Sequence, residues 1–181
     1  MHKNILLLHA SPRLHGNSHT LAETFIAGAE AAGNWVQRIN VGQAKISPCM
    51  ACEYCRSNHH QCCQDDDMEK IYPAIIAAEC VVLAAPLYFY DWPAQLKLVI
   101  DRLYALGPEY AVRHKDTALL MTAADDDPQA FDGAVKTYQL ALTDYLQWQD
   151  RGRILVAGVN AAGAIQDHPA LAEAYKLGFT I

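Results

Sequence analysis

The sequence has no cluster of basic residues. Fourteen lysines and arginines face twenty aspartates and glutamates across 181 residues, for a net charge of −6. The electrostatic footprint of a nucleic-acid binder is therefore missing, as is any general attraction for an anionic membrane surface. Long apolar runs are also missing. The longest, residues 75–90, is broken by Glu79 and Pro86, so no membrane span is expected. The short run at residues 5–8 is too brief for a signal-peptide core, and no convincing small-residue cleavage site follows it. A cytoplasmic location is the expectation. No linker, repeat or low-complexity stretch divides the chain, and its length suits one domain over residues 1–181. Three catalytic signatures are missing: a Gly-Lys-Ser/Thr phosphate loop, a triple-glycine dinucleotide fingerprint and a serine at a nucleophile elbow. What remains is 52% hydrophobic and 19% charged, the balance of a folded globular protein.

Apolar runs of strand length alternate with segments of helical period. Strands are predicted at 4–9, 35–41, 80–85, 117–122 and 154–159. Helices are predicted at 18–32, 66–78 and 93–106, within 129–148, and from 167 to about 178. Thr20 with Glu23 has the spacing of a capping box, and Lys97 with Asp101 that of an i,i+4 ion pair. Residues 80–85 are continuously apolar, as in a strand buried on both faces. Strict alternation predicts an α/β fold, a doubly wound parallel sheet with helices on both faces. Ligands of such folds bind at the carboxyl ends of the strands, at the switch point.

The loop after the first predicted strand reads Ser11-Pro12-Arg13-Leu14-His15-Gly16-Asn17-Ser18-His19-Thr20. It runs directly into a helix N-terminus, where free N–H groups and the helix dipole favour an anion. Ser11, Asn17, Ser18 and Thr20 supply donors, and Arg13 can fork onto phosphate oxygens. A polar turn with one helix cap would use only one or two of these residues. "SPR..GNS..L" after a first strand resembles the flavodoxin-like FMN flavoproteins, in particular the NAD(P)H-dependent FMN reductases and the iron–sulfur flavoproteins. "CMACEYC", Asp66-Asp67-Met68, "APLYFYDWPAQLKLVIDR" and "HPALAEAYKLG" extend the resemblance from residue 5 to residue 178. It implies a flavodoxin-like five-stranded sheet of order 2-1-3-4-5 and bound FMN. It also implies that Ser11, Arg13, Asn17, Ser18 and Thr20 hold the FMN phosphate.

Four aromatics fall within residues 88–92, an unusual density for a solvated loop. A flat isoalloxazine ring gives them a partner; the plainer reading is that they cover the core or a subunit contact. The resemblance places flavin contacts on Pro86, Leu87, Tyr88 and Phe89, and more loosely on Tyr90 and Trp92. A third flavin loop would contain Ala123, Ala124 and Asp125, small residues letting backbone reach the ring edge. Asp125, Asp126 and Asp127 read as a solvated turn and helix start rather than a metal site. A flavin carries its own redox chemistry, so no catalytic triad is expected.

Five of the six cysteines lie in residues 49–63. Cys49, Cys52 and Cys55 have CxxCxxC spacing, which lets three thiolates face one inorganic cluster, and a fourth from a few residues on completes a cubane's ligand set. Zinc held with His59 or His60, a thiol–disulfide pair, and thiols that merely pack a loop are the other readings. A reducing compartment disfavours the disulfide. Aligning Asp66-Asp67-Met68 with the iron–sulfur flavoproteins implies Cys62 as the fourth ligand beside Cys49, Cys52 and Cys55 of a [4Fe-4S] cluster, with Cys63 left over. Cys80 opens a buried strand and reads as core.

Two functions follow. One is an enzyme in which NADH or NADPH reduces FMN, which then reduces a free flavin, quinone or similar small-molecule acceptor. The other is an electron carrier that passes electrons between a [4Fe-4S] cluster and FMN, with a ferredoxin-like protein as partner. A homodimer or homotetramer is implied by the resemblance; no nucleic-acid or membrane partner is expected.

Overall fold

The computed structural model describes residues 2–107 and 114–181. Five strands form one parallel sheet: β1 (Asn4–His9), β2 (Trp35–Asn40), β3 (Cys80–Pro86), β4 (Asp116–Thr122) and β5 (Gln149–Val156), in the order β2-β1-β3-β4-β5. The flavodoxin-like doubly wound sheet expected from the alternation and the resemblance is the fold observed. The helices are α1 (Asn17–Ala31), a single turn α2 (Tyr54–Ser57), α3 (Met68–Ala77), α4 (Ala94–Arg102), α5 (Asp132–Tyr138, continued by a wide π segment over Gln139–Tyr145) and α6 (Ala170–Thr180). No helix among the described residues is long and apolar enough to cross a membrane.

Strand side chains alternate between faces, and the two faces make two cores. Leu6, Leu8, Val81, Leu83, Leu119 and Met121 pack under α3, α4 and α5. Ile5, Leu7, Val82, Ala84, Ala118 and Leu120 pack under α1 and α6. Each fully buried Leu, Ile, Val or Met side chain among them contributes roughly 1.5–3 kcal/mol. Helices α1 and α6 cross backbone to backbone. A Cβ on Gly28 would collide with the Tyr175 carbonyl, and one on Gly178 with the Phe25 carbonyl, so the crossing tolerates only glycine at both points.

Two local expectations are corrected. The Thr20–Glu23 capping box does not form. Gly16 is the N-cap, without a side-chain cap; the Thr20 hydroxyl turns back to the Gly16 carbonyl at 3.5 Å, and Glu23 pairs with Arg38. Strand β5 begins at Gln149 and ends at Val156 instead of spanning 154–159. It is an edge strand whose first half carries the polar residues Gln149, Asp150 and Arg151, and its pairing with β4 shifts register between Thr117 and Leu119, so neither an apolar run nor clean alternation marks it. The Lys97–Asp101 ion pair forms, at 2.6 Å.

Candidate functional site

Sheet order reverses between β1 and β3, which both pair with neighbours on opposite sides. The carboxyl ends of these strands open a cleft of about 150 Å³ lined by Ser11, Arg13, Gly16, Asn17, Ser18, Pro86, Leu87, Tyr88, Thr122, Ala123, Ala124, Val159 and Asn160.

One wall is the start of α1. His19 and Thr20 N–H groups both donate to the Gly16 carbonyl, which leaves the Asn17 and Ser18 N–H groups as the orphan donors that every helix start has. Ser11 and Ser18 are buried, and the Ser11 hydroxyl accepts from the Arg13 N–H at 3.1 Å, which curls the loop back toward the helix. The first turn of α1 carries no acidic residue. Hydroxyls, orphan N–H groups, a positive helix end and one arginine make a donor set that fits a phosphate.

Asn17 is placed at the cleft but has another duty. Its side-chain amide donates to the Val159 and Ala161 carbonyls, both at 2.9 Å, and accepts from the Ile165 N–H at 3.3 Å. It ties the loop after β5 to the start of α1. That loop brings Val159 and Asn160 into the cleft wall. The sequence places a strand end at Val159 and a loop from Asn160 on but assigns neither a site residue, because the side chains there carry no recognisable motif. Thr122 and Gly16 were missed likewise.

A second wall is the turn after β3. Tyr88 and Asp91 exchange two backbone hydrogen bonds, at 3.0 and 3.1 Å, around Phe89 (φ 48°) and Tyr90 (φ 64°). Two consecutive left-handed residues without glycine cost on the order of 1–2 kcal/mol each. The Asp91 carboxylate holds the turn: it accepts from the Trp92 N–H at 2.7 Å and from the Thr137 hydroxyl at 3.3 Å. Tyr88 lines the cleft, whereas Phe89 is fully exposed and Tyr90 largely so. Trp92 is buried in the core beneath, its indole N–H without a partner among the described residues. The third wall, Ala123 and Ala124, is fixed by hydrogen bonds from the Ala123 N–H to the Val156 carbonyl and from the Val159 N–H to the Ala123 carbonyl, both 2.8 Å. Asp125 lies outside the cleft wall, and Asp127 caps the following turn through the Gln129 N–H at 2.9 Å. Thus the cleft gathers Ser11, Arg13, Asn17, Ser18, Pro86, Leu87, Tyr88, Ala123 and Ala124. Thr20, Phe89, Tyr90, Trp92 and Asp125 stand outside its wall.

The cysteine loop leaves β2 and is anchored at its base. Arg102 and Asp66, both buried, form a 2.8 Å ion pair. Arg102 also donates to the Ser47 carbonyl, while Asp66 accepts from the Ser47 and Met68 N–H groups. Burial pushes the Asp66 carboxyl up, but the Arg102 guanidinium and these N–H groups hold it below the usual carboxylate range. Cys49, Cys52, Cys55, Cys62 and Cys63 all line one small cavity beside this anchor. Ala51 (φ 52°) and Glu53 (φ 56°), which line the same cavity, are left-handed, so backbone strain lies beside the cysteines. The Tyr54 N–H, then the Cys63 thiol, stabilise the Cys52 thiolate and lower its pKa. No group of three or more His, Cys, Asp or Glu among the described residues is arranged to hold a single metal ion. A cubane spreads its thiolates over separate irons, and the convergent sulfurs with a sulfur-directed N–H are a donor set of the kind it needs. Cys80 is buried in the other core, and burial pushes its thiol up to about 12.

The sequence profile of the family described as NADPH-dependent FMN reductase matches residues 3–150. An iron–sulfur flavoprotein of Methanosarcina thermophila is 30% identical over 161 residues, 88% of this chain and 80% of that protein. One from Archaeoglobus fulgidus is 30% identical over 105 residues, 58% of this chain; the match spans about half of that relative, 47%. Among solved structures, the NAD(P)H:quinone oxidoreductase of Methanothermobacter marburgensis superposes with a TM-score of 0.74 at 19% identity, over 99% of this chain and 97% of that one, a likeness of fold. The donor-rich helix start fits the phosphate of FMN, the match extends over most of the chain, and the protein belongs to the NADPH-dependent FMN reductase family of FMN-dependent oxidoreductases.

Proposed function

We propose that the protein takes electrons from NADH or NADPH through FMN in the β1/β3 cleft and passes them to a free flavin, a quinone or a similar flat acceptor. The observation that carries this reading is the meeting in one cleft of the anion-binding start of α1 with Pro86, Leu87 and Tyr88. FMN supplies the hydride and electron chemistry; the chain binds, orients and shields. Arg13, Ser11, Ser18 and the orphan N–H groups of α1 hold the phosphate. Tyr88 and the backbone of residues 86–88 and 123–124 face the ring. Phe89 and Tyr90, held outward by the Asp91 clamp, offer an aromatic surface to the acceptor or to a second copy of the chain in a homodimer or homotetramer. In the test, FMN-loaded protein is mixed with NADPH or NADH without oxygen. Rapid bleaching of the flavin bands, reversed by a quinone, supports the reading; no bleaching by either nucleotide refutes it.

A second reading is favoured by the convergence of five thiols on one cavity. In it the protein is an electron carrier with Cys49, Cys52, Cys55 and Cys62 holding a [4Fe-4S] cluster, and a ferredoxin-like protein as partner. Iron and acid-labile sulfide at about four each per chain in anaerobically purified protein support it; a flavin spectrum without iron refutes it.

A further inference from the structure

Within the cysteine loop, the Cys52 and Cys63 sulfurs lie 3.7 Å apart. No other sulfur–sulfur hydrogen bond occurs among the described residues. Both side chains are exposed, so a soluble oxidant reaches them. Ala51 and Glu53, the neighbours of Cys52, are both left-handed, so Cys52 sits between two strained backbone positions. The segments that carry the two cysteines are held at their bases. The Lys45 N–H donates to Asp67, the Ser47 N–H to Asp66, and the Gln64 amide to the Pro48 carbonyl at 3.1 Å. A disulfide needs the sulfurs at about 2.05 Å, so closure asks for a shift of under 2 Å within a loop whose ends stay fixed.

We propose that Cys52 and Cys63 are a redox-active pair that a low-molecular-weight disulfide, such as glutathione disulfide, closes into an intramolecular disulfide. The Cys52 thiolate attacks one sulfur of the oxidant, whose S–S bond breaks, and one glutathione thiolate leaves and takes up the proton given up by Cys52. The Cys63 thiolate then attacks the Cys52 sulfur of the mixed disulfide, and the second glutathione leaves with the Cys63 proton. In sum, the protein loses two electrons and two protons, and one small disulfide becomes two thiols. Closure removes Cys52 from the thiolate set around the cavity. Cys63, left over when Cys49, Cys52, Cys55 and Cys62 are counted as ligands, thereby acquires a role as the resolving thiol. The pair stands whether or not the loop holds a cluster; where it does, cluster and disulfide exclude one another at Cys52.

The test uses the full chain, purified without oxygen and exposed to excess glutathione disulfide, then quenched, alkylated and cleaved at Lys45, Arg56 and Lys70. The expected product is peptide 46–56 joined to peptide 57–70, about 2 Da lighter than the two together, with fragmentation placing the bond between Cys52 and Cys63. In Cys63→Ser, which lies outside the flavin cleft, Cys52 carries glutathione instead and no internal bond forms. A bond joining other cysteines, or Cys63→Ser closing at the wild-type rate, overturns the proposal, as does wild-type Cys52 that is glutathionylated but never resolved. Iron is counted on the same samples. Iron at the outset reports on the cluster reading alone, and the cross-link reports on the pair alone. In iron-bearing protein the cross-link is expected to rise in step with iron release. A cross-link that forms while all the iron stays bound removes Cys52 from the cluster's ligands and leaves the pair intact.

Discussion

Arg13, in the loop after β1, and Asn17, at the start of α1, sit four residues apart, and the structure separates their contributions. Arg13 is exposed at the cleft, with no side-chain hydrogen bond to the described residues. Arg13→Ala is expected to weaken FMN binding about tenfold or more, the scale of one charge-assisted phosphate bond, while the melting temperature of flavin-free protein stays unchanged. Asn17→Ala breaks three hydrogen bonds to the loop after β5. It should cost roughly 2–3 kcal/mol and lower the melting temperature of the flavin-free protein by roughly 5–10 °C. His9 gives a pH dependence. It is buried at the end of β1, its Nδ1 beside the Asn40 amide oxygen at 3.3 Å and its Nε2 unpartnered among the described residues. Burial is the main force pushing its imidazole down to about 4 from 6.5. A depressed histidine stabilises the fold fully above its unfolded value of 6.5, and that stability is lost as pH falls toward 4. By pH 5 the loss is on the order of 2 kcal/mol. Asp66 and Asp116, held below the usual carboxylate range, lose their contributions only at lower pH, below the unfolded value of 3.8. Urea unfolding at pH 7 and pH 5 checks this: the drop should shrink in His9→Gln, and an equal drop in both proteins would point elsewhere.

At the scale of elements, the Arg102–Asp66 pair joins α4 to the start of α3 beneath the cysteine loop. Removing one partner of a buried pair costs about 3–5 kcal/mol. Arg102→Leu should therefore lower the melting temperature by about 6–15 °C and raise the rate at which the loop thiols are alkylated. The sequence placed Asp66 at the positive end of a helix, which explained an acid there; nothing local revealed its partner 36 residues on. Strand β1 was legible to the residue because it is apolar, central and ended by Ser11-Pro12. Strand β5 was not, because an edge strand with a register shift keeps neither signal. The donor-rich loop after β1 was legible because its donors cluster in ten residues, while Val159 and Asn160 enter the cleft only through the fold, carried there by the Asn17 tether. Gly28→Ala should be strongly destabilising at the α1–α6 crossing, by several kcal/mol, whereas Gly163→Ala, where an added Cβ meets only Gln166 at 3.8 Å, should cost mainly the strain of its positive φ. Comparing the two in denaturant separates close packing from backbone conformation.

The whole molecule is one sheet with a core on each face and a cleft at the point where strand order reverses. The loop after β1, the start of α1, the ends of β3 and β4 and the loop after β5 meet there, so ligand binding should stabilise all of these elements together. FMN at a hundredfold excess over its dissociation constant is expected to add about 2.7 kcal/mol and to raise a single unfolding transition without splitting it. The central claim is that the start of α1 recognises the phosphate of FMN, and comparing FMN with riboflavin in equilibrium titrations of flavin-free protein, followed by flavin fluorescence, tests it most directly. The two ligands share a ring and differ by the phosphate. FMN should bind at least a hundredfold more tightly, with about tenfold or more of that advantage lost in Arg13→Ala; equal affinities for FMN and riboflavin would contradict the assignment of the phosphate site.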